Sequence, residues 1–164
     1  MLQYEHLIGR PFSMGFSDCF ELTRQFFADN FDITISNYAR PQDWSAANID
    51  LVRRFHEREG FEMITDWKIK DLRPGDVMAM CIGDTNPNHL AIVVDDNQIL
   101  HHLVNRLSNV EILRDFWRNV TAFILRHPAV PDLRPVYEDV DIGTLLNARY
   151  RIETISDADS GRNP

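Results

Sequence analysis

Three side chains have the types and the spacing for acyl-transfer chemistry: Cys19, His89 and His101. Cys19, Leu22, Thr23, Phe26 and Phe27 recur at helical spacing, which predicts an amphipathic helix from residue 19 to about residue 30. Asp18 is the expected N-cap, and Glu21 three residues on completes a capping-box pattern. Cys19 then takes the first helical position, against the positive end of the helix dipole and beside unpaired backbone N–H groups. Such a setting lowers a thiol pKa from about 8.5 into roughly the 3.5–7.5 range, where the thiolate is available as a nucleophile. The competing reading is a small apolar residue on the inner helix face, since unbridged cysteines are commonly buried. Cys81 lies within the apolar run Val77-Met78-Ala79-Met80-Cys81-Ile82 and reads as core.

A thiol of this kind needs a base, and the histidines supply candidates. His89 opens one expected strand and His101 lies in the next, so the turn between them decides whether they meet. A three-residue loop of Asp95, Asp96 and Asn97 pairs Val94 with Gln98, Ala91 with His101 and His89 with Leu103. His89 and His101 then share a face as diagonal neighbours, roughly 7–8 Å apart at the backbone. A two-residue loop places them on opposite faces. Asn97 favours the longer loop, because that geometry ends on a left-handed residue, which Asn tolerates. Small Ala91 leaves room beside His101, while His102 falls on the other face. Two alternatives stand beside catalysis: a buried structural pair, or zinc held with Asp18 or Cys19. The spacing matches no standard zinc motif.

The elements that must position these residues follow from the same periodicities. Trp44 to Glu59 reads as a second helix, with Ile49, Val52 and Phe55 on one face, Gly60 as its stop and a loop around Pro41 before it. From Phe61 the pattern turns to strands. Arg73-Pro74-Gly75-Asp76 is a turn into the Val77 strand, and Asn86-Pro87-Asn88 is a turn into His89-Leu90-Ala91-Ile92-Val93-Val94. Gln98 to Leu103, Val110 to Leu113 and Thr121 to Arg126 complete the set. Helices first and consecutive short strands after them predict an α+β fold with a mainly antiparallel sheet.

The chain has 164 residues, a size for which one domain is the default. Its 44% hydrophobic and 26% charged residues describe a globular protein. The net charge of −8 comes without a Lys/Arg run, so the counterion-releasing stripe of a nucleic-acid binder is missing. Two cysteines make no disulfide framework, and the apolar runs are too short for a membrane span, so no membrane insertion is expected. The opening MLQYEHLIGR lacks the pattern of a signal peptide, which gives the expectation of a chain with no export address of its own. Past His127 the composition shifts to prolines among acidic residues. The expected organisation is a domain over residues 1–127 and an extension over 128–164, either a docking arm or a flexible tail frayed from Asp157 onward.

Several of these segments together resemble a known family. Leu7-Ile8-Gly9-Arg10-Pro11-Phe12-Ser13-Met14-Gly15-Phe16-Ser17-Asp18-Cys19 resembles the nucleophile region of NlpC/P60 cysteine peptidases. Arg73-Pro74-Gly75-Asp76-Val77 is similar to the family's turn and strand. Asn88-His89 through Ile99-Leu100-His101-His102-Leu103 and Arg106-Leu107-Ser108 resembles its histidine hairpin, with the same twelve-residue spacing. With Trp117, Thr121 and Leu125-Arg126-His127, the likeness is greatest to the family's phage branch, the lambda-type tail tip assembly proteins, over about residues 4 to 127. The resemblance implies a papain-like α+β fold without a cofactor or catalytic metal. It implies hydrolysis of peptidoglycan stem peptides, typically between D-glutamate and a diamino acid. Carried over by position, Cys19 is the nucleophile, His89 the general base and His101 the residue that orients it, with Phe12 and Asp18 at substrate-binding positions.

The same resemblance implies action in a virion tail, assembled in the host cytoplasm and working in the host periplasm or wall, with tail tip or hub proteins as partners. Three positions depart from the cellular pattern. Phe12 stands where Tyr is usual, Phe16 where Gly is common, and Phe20-Glu21 where Ser-Gly is favoured. These bear on cleavage specificity, and they sustain a second reading: a structural tail tip component whose peptidase activity is weak or lost.

Overall fold

The computed structural model describes residues 1–39 and 50–135. The expected helix start at Trp44, the loop around Pro41 and the chain beyond residue 135 lie outside them. Helix α1 spans Cys19–Phe31, as its periodicity predicts. The Asp18 side chain accepts from the backbone N–H of Glu21, and the helix ends on Asp32 in the left-handed region. Its buried face is Leu22, Thr23, Phe26 and Phe27. A short helix α2, Leu51–Phe55, is capped by Asp50.

Six strands follow: β1 Glu62–Ile64, β2 Val77–Met80, β3 His89–Asp95, β4 Gln98–His101, β5 Asn109–Ile112 and β6 Thr121–Arg126, with a short helix α3, Asp115–Val120, between the last two. They form one antiparallel sheet in the order β1-β6-β2-β3-β4-β5. This is the expected α+β fold, with α1 packed against β3.

Both faces of the sheet are covered. Phe26 and Phe27 of α1 pack with Val77, Ala79, Ile92, Leu100 and Phe123 in one cluster. Met78, Met80, Ala91, Val93, Ile99, Ile124 and Trp117 form a second. All four residues of β2 are therefore buried, and its sequence reads as an unbroken apolar run rather than an alternation. Phe27 lies edge-on to Phe61 at 5.1 Å between ring centroids, which locks α1 against the segment leading into β1.

An ion pair between a buried acid and a half-buried arginine closes the sheet around β2. Asp76 is 2% exposed and takes a two-pronged contact from Arg126, at 2.8 Å to Nε and 2.7 Å to Nη2. The same carboxylate accepts from the Arg73 N–H at 2.9 Å. Gly75 has φ +96, and a Cβ there would stand 2.8 Å from Val130. The Arg73–Asp76 motif is thus a turn whose acid joins the entry of β2 to the end of β6. Val130 packs on the first cluster and Asp132 lies 3.5 Å from Arg73, so the compact unit runs on from Met1 through Arg134.

The hairpin of β3 and β4 pairs Ala91 with His101, the pairing expected from the three-residue loop. The expected pairing of Val94 with Gln98 is corrected: Asp95 faces Gln98, and the register shifts between Val93 and Asp95. The connection is a two-residue turn plus a bulge in β3. One extra residue in the strand restores the parity that a longer loop would have supplied. Asn97 is not among the residues with positive φ, so its tolerance of the left-handed region is not what sets the register.

Candidate catalytic site

The loop before α1 is built to present Cys19. Ser13 and Ser17 exchange backbone hydrogen bonds of 2.8 and 2.7 Å across a tight turn. Gly15 at its tip has φ +80, and its N–H donates to Asp18 Oδ2 at 2.7 Å. Asp18 Oδ1 accepts from Glu21 N–H at 2.9 Å, so one buried carboxylate both caps the helix and holds the loop. The Glu21 carboxylate accepts from Arg24 Nη1 at 2.6 Å. Cys19 follows at the first helical position, partly buried, where backbone N–H groups point out of the helix end.

Cys19 and His89 line the same largely apolar pocket, together with Phe20, Tyr38, Phe55 and Phe61. His89 is 5% exposed, and its Nε2 lies 3.1 Å from Nδ1 of His101. With Nε2 engaged by His101, Nδ1 is the other nitrogen of the ring. His101 is buried in turn, and Trp117 of α3 meets its ring edge-on at 4.8 Å between centroids. On its far side His101 Nε2 lies 3.4 Å from Oε1 of Glu111 on β5. The described residues therefore form a chain from the Cys19 pocket through His89 and His101 to a carboxylate at the sheet edge.

Burial sets the electrostatics of this chain. Desolvation, reinforced by the neighbouring His101 and His102 charges, pushes the His89 imidazole down to about 3. His101 is also pushed down by burial, with Glu111 pulling the other way. Both rings rest neutral near pH 7.

The other candidates occupy supporting places. His102 is buried, with Nε2 at 3.2 Å from the Arg106 carbonyl and the Phe12 ring edge-on at 5.5 Å. Phe12 is carried by a segment clasped to the loop after β4. Ser108 Oγ donates to the Leu7 carbonyl at 2.6 Å and accepts from the Arg10 N–H at 2.8 Å, and Pro11 bridges to Leu107. Phe16 is 84% exposed at the loop tip and is not among the residues lining the Cys19 pocket, whereas Phe20 is. Cys81 is corrected from core to a half-buried position just past β2, with Sγ 3.6 Å from the Thr85 carbonyl. Among the described residues no group of three or more His, Cys, Asp or Glu side chains is arranged to hold a metal ion.

Glu111 is the residue that sequence reasoning missed. Its place two residues from Asn109, the partner of His101, puts it diagonally across from the ring. Reading that from sequence requires the length of the connection between β4 and β5, which combines a local turn at a left-handed Asn105 with the long-range Ser108 clasp.

A profile of the NlpC/P60 family matches residues 9–126. The chain is 33% identical over 124 residues to the tail tip assembly protein K of Escherichia phage lambda, covering 76% of this chain and 60% of that protein. It is 27% identical over 126 residues to the tail tip assembly protein K of Escherichia phage N15, covering 76% of this chain and 50% of that protein. The matched stretch spans between half and three fifths of the length of these relatives.

Proposed function

The chain belongs to the NlpC/P60 family, and from that we propose that it is a phage tail-associated cysteine peptidase that cleaves the peptide stems of host peptidoglycan during infection. The bond assigned is that between D-glutamate and the diamino acid. Its place is the virion tail, among tail tip or hub proteins, a reading supported by its similarity to two tail tip assembly proteins. The observation that carries the reading is the contact of His89 Nε2 with His101 Nδ1, on a histidine that shares its pocket with Cys19.

In this reading Sγ of Cys19 attacks the amide carbonyl carbon while Nδ1 of His89 takes the thiol proton. The C–N bond then breaks, His89 hands that proton to the leaving amine, and a thioester remains on Cys19. Water, deprotonated by His89, attacks the thioester and releases the carboxylic acid and the thiol. Positioned proton transfer of this kind is worth roughly 10²–10⁴-fold. The Cys19 N–H, at the helix start, donates to the oxyanion. His101 orients His89 through the Nε2 contact. Asp18 has both carboxylate oxygens on backbone amides, so it serves substrate binding by shaping the loop that presents Cys19. Phe12 is assigned to the substrate side through its packing on His102.

The second reading, a structural tail tip component with weak or lost activity, draws on Phe12 and Phe20. The first brings no hydroxyl, and the second lines the pocket beside Cys19. Mass spectrometry of fragments released from purified Gram-negative peptidoglycan separates the two. The peptidase releases stem fragments ending at D-glutamate, and Cys19→Ala releases none. A folded wild-type protein that releases nothing, alone and in assembled tails, overturns the enzymatic reading.

A further inference from the structure

We propose that Glu111 is a positioning residue: its carboxylate selects the ring nitrogen of His101 that carries the proton, and thereby leaves His89 Nδ1 unprotonated toward Cys19. This rests on the reading of Cys19 as nucleophile and His89 as base.

The argument is one of donors and acceptors. An ionised carboxylate only accepts, so Glu111 Oε1 at 3.4 Å from His101 Nε2 favours a proton on that nitrogen. This distance exceeds a closed hydrogen bond of about 2.7–3.2 Å, so the pull is mainly electrostatic. A neutral His101 protonated on Nε2 has its lone pair on Nδ1, 3.1 Å from His89 Nε2. His89 Nε2 must then be the donor in that bond, which leaves the lone pair of neutral His89 on Nδ1. The opposite arrangement sets the His101 Nε2 lone pair against the carboxylate. It also puts the His89 proton on Nδ1, where the ring cannot take another from a thiol.

Geometry makes the selection a built feature. Glu111 is diagonal to His101 across β4 and β5, and Trp117 fixes the plane of the His101 ring. The groups facing His101 are His89 on β3, the adjacent His102, Glu111 on β5 and, in the groove it shares with Glu111, Arg106. Of these, Glu111 alone is an acid. When His89 becomes charged during attack, the carboxylate offsets through His101 part of the desolvation that burial imposes. Glu111 is 42% exposed on an edge strand, so its substitution leaves the core intact.

Two-bond ¹H–¹⁵N correlation spectra of the full chain near neutral pH read the tautomers directly. Wild type is expected to show His101 and His89 both protonated on Nε2, and Glu111→Ala to show a tautomer mixture at His101. Iodoacetamide alkylation of Cys19, followed against pH, supplies a second readout. Loss of the charge slows it about tenfold near neutral pH, equivalent to about one pKa unit, and Glu111→Asp restores most of the rate. A wild-type His101 protonated on Nδ1 overturns the proposal, as do tautomers and alkylation unchanged in Glu111→Ala. If Cys19 instead alkylates as an ordinary thiol, indifferent to His89→Ala, the nucleophile–base reading falls. The tautomer spectra decide the hold of Glu111 on His101 in that case too.

Discussion

A buried imidazole resists a positive charge, and this decides how the His89 ring can be used. With its pKa pushed down to about 3, His89 rests neutral, and in the proposed mechanism it takes the thiol proton only as attack proceeds. Its orientation then matters more than its resting charge, and orientation comes from His101. His101→Ala is expected to lower the turnover of stem peptides about 10²-fold with little change in KM, since positioned proton transfer acts in the transition state. His101→Asn, whose side-chain oxygen can accept from His89, recovers part of the loss. Equal rates for the two variants in steady-state kinetics would show that His101 merely fills space. Trp117 contributes at the same scale. Trp117→Ala removes a buried indole, costs about 3–5 kcal/mol in a urea melt, and frees the His101 ring that it holds edge-on.

At the scale of elements, the sheet depends on one buried acid. Asp76→Ala takes the acceptor from a partly exposed Arg126 and from the Arg73 N–H, so it is expected to destabilise the fold by about 1.5–3 kcal/mol in chemical denaturation, the range for hydrogen bonds to a charged group. A change under about 1 kcal/mol would mean that Arg126 finds water instead. Much of this architecture was legible in the residues. The period of Leu22, Thr23, Phe26 and Phe27 placed α1, and turn residues ahead of Val77 and His89 placed β2 and β3. The shared face of His89 and His101 was legible for a reason that survives the wrong turn. Side-chain parity depends on the total number of residues between paired positions, so a bulge after Val93 and a longer loop give the same result. The bulge has no local signature of its own. Neither has α3, a helix of six residues held by packing of Trp117 rather than by periodicity. Glu111 was hidden because its register depends on a seven-residue connection, residues 102–108, in which the turn at Asn105 acts together with the clasp of Ser108 on Leu7, a contact between residues 101 positions apart.

Over the whole molecule the same burial that tunes the site couples its histidines to folding. His89, His101, His102 and His127 all have imidazoles pushed down, with desolvation the largest cause in each. An unfolded chain restores each ring to its ordinary value of about 6.5. Below that pH the unfolded state binds protons that the folded state declines, so stability is fully present above about pH 6.5 and falls as pH drops. For His89 the decline continues toward about 3, the value of the folded ring. Each fully declined proton costs about 1.4 kcal/mol per pH unit, so His89 alone removes about 2 kcal/mol by pH 5. Carboxylates such as Glu59, held low by the Tyr38 hydroxyl and the Ser36 N–H against desolvation, add the same sign only at lower pH. The window from pH 6.5 to 5 therefore belongs to the imidazoles. Urea midpoints should fall across it, and His89→Gln should flatten the slope even if it lowers the midpoint at pH 7. A wild-type midpoint unchanged between pH 7 and pH 5 would mean that water reaches these rings in the folded protein. His89 would then be free to hold a proton at rest, and the preformed thiolate–imidazolium pair would replace the neutral pair as the starting state of attack.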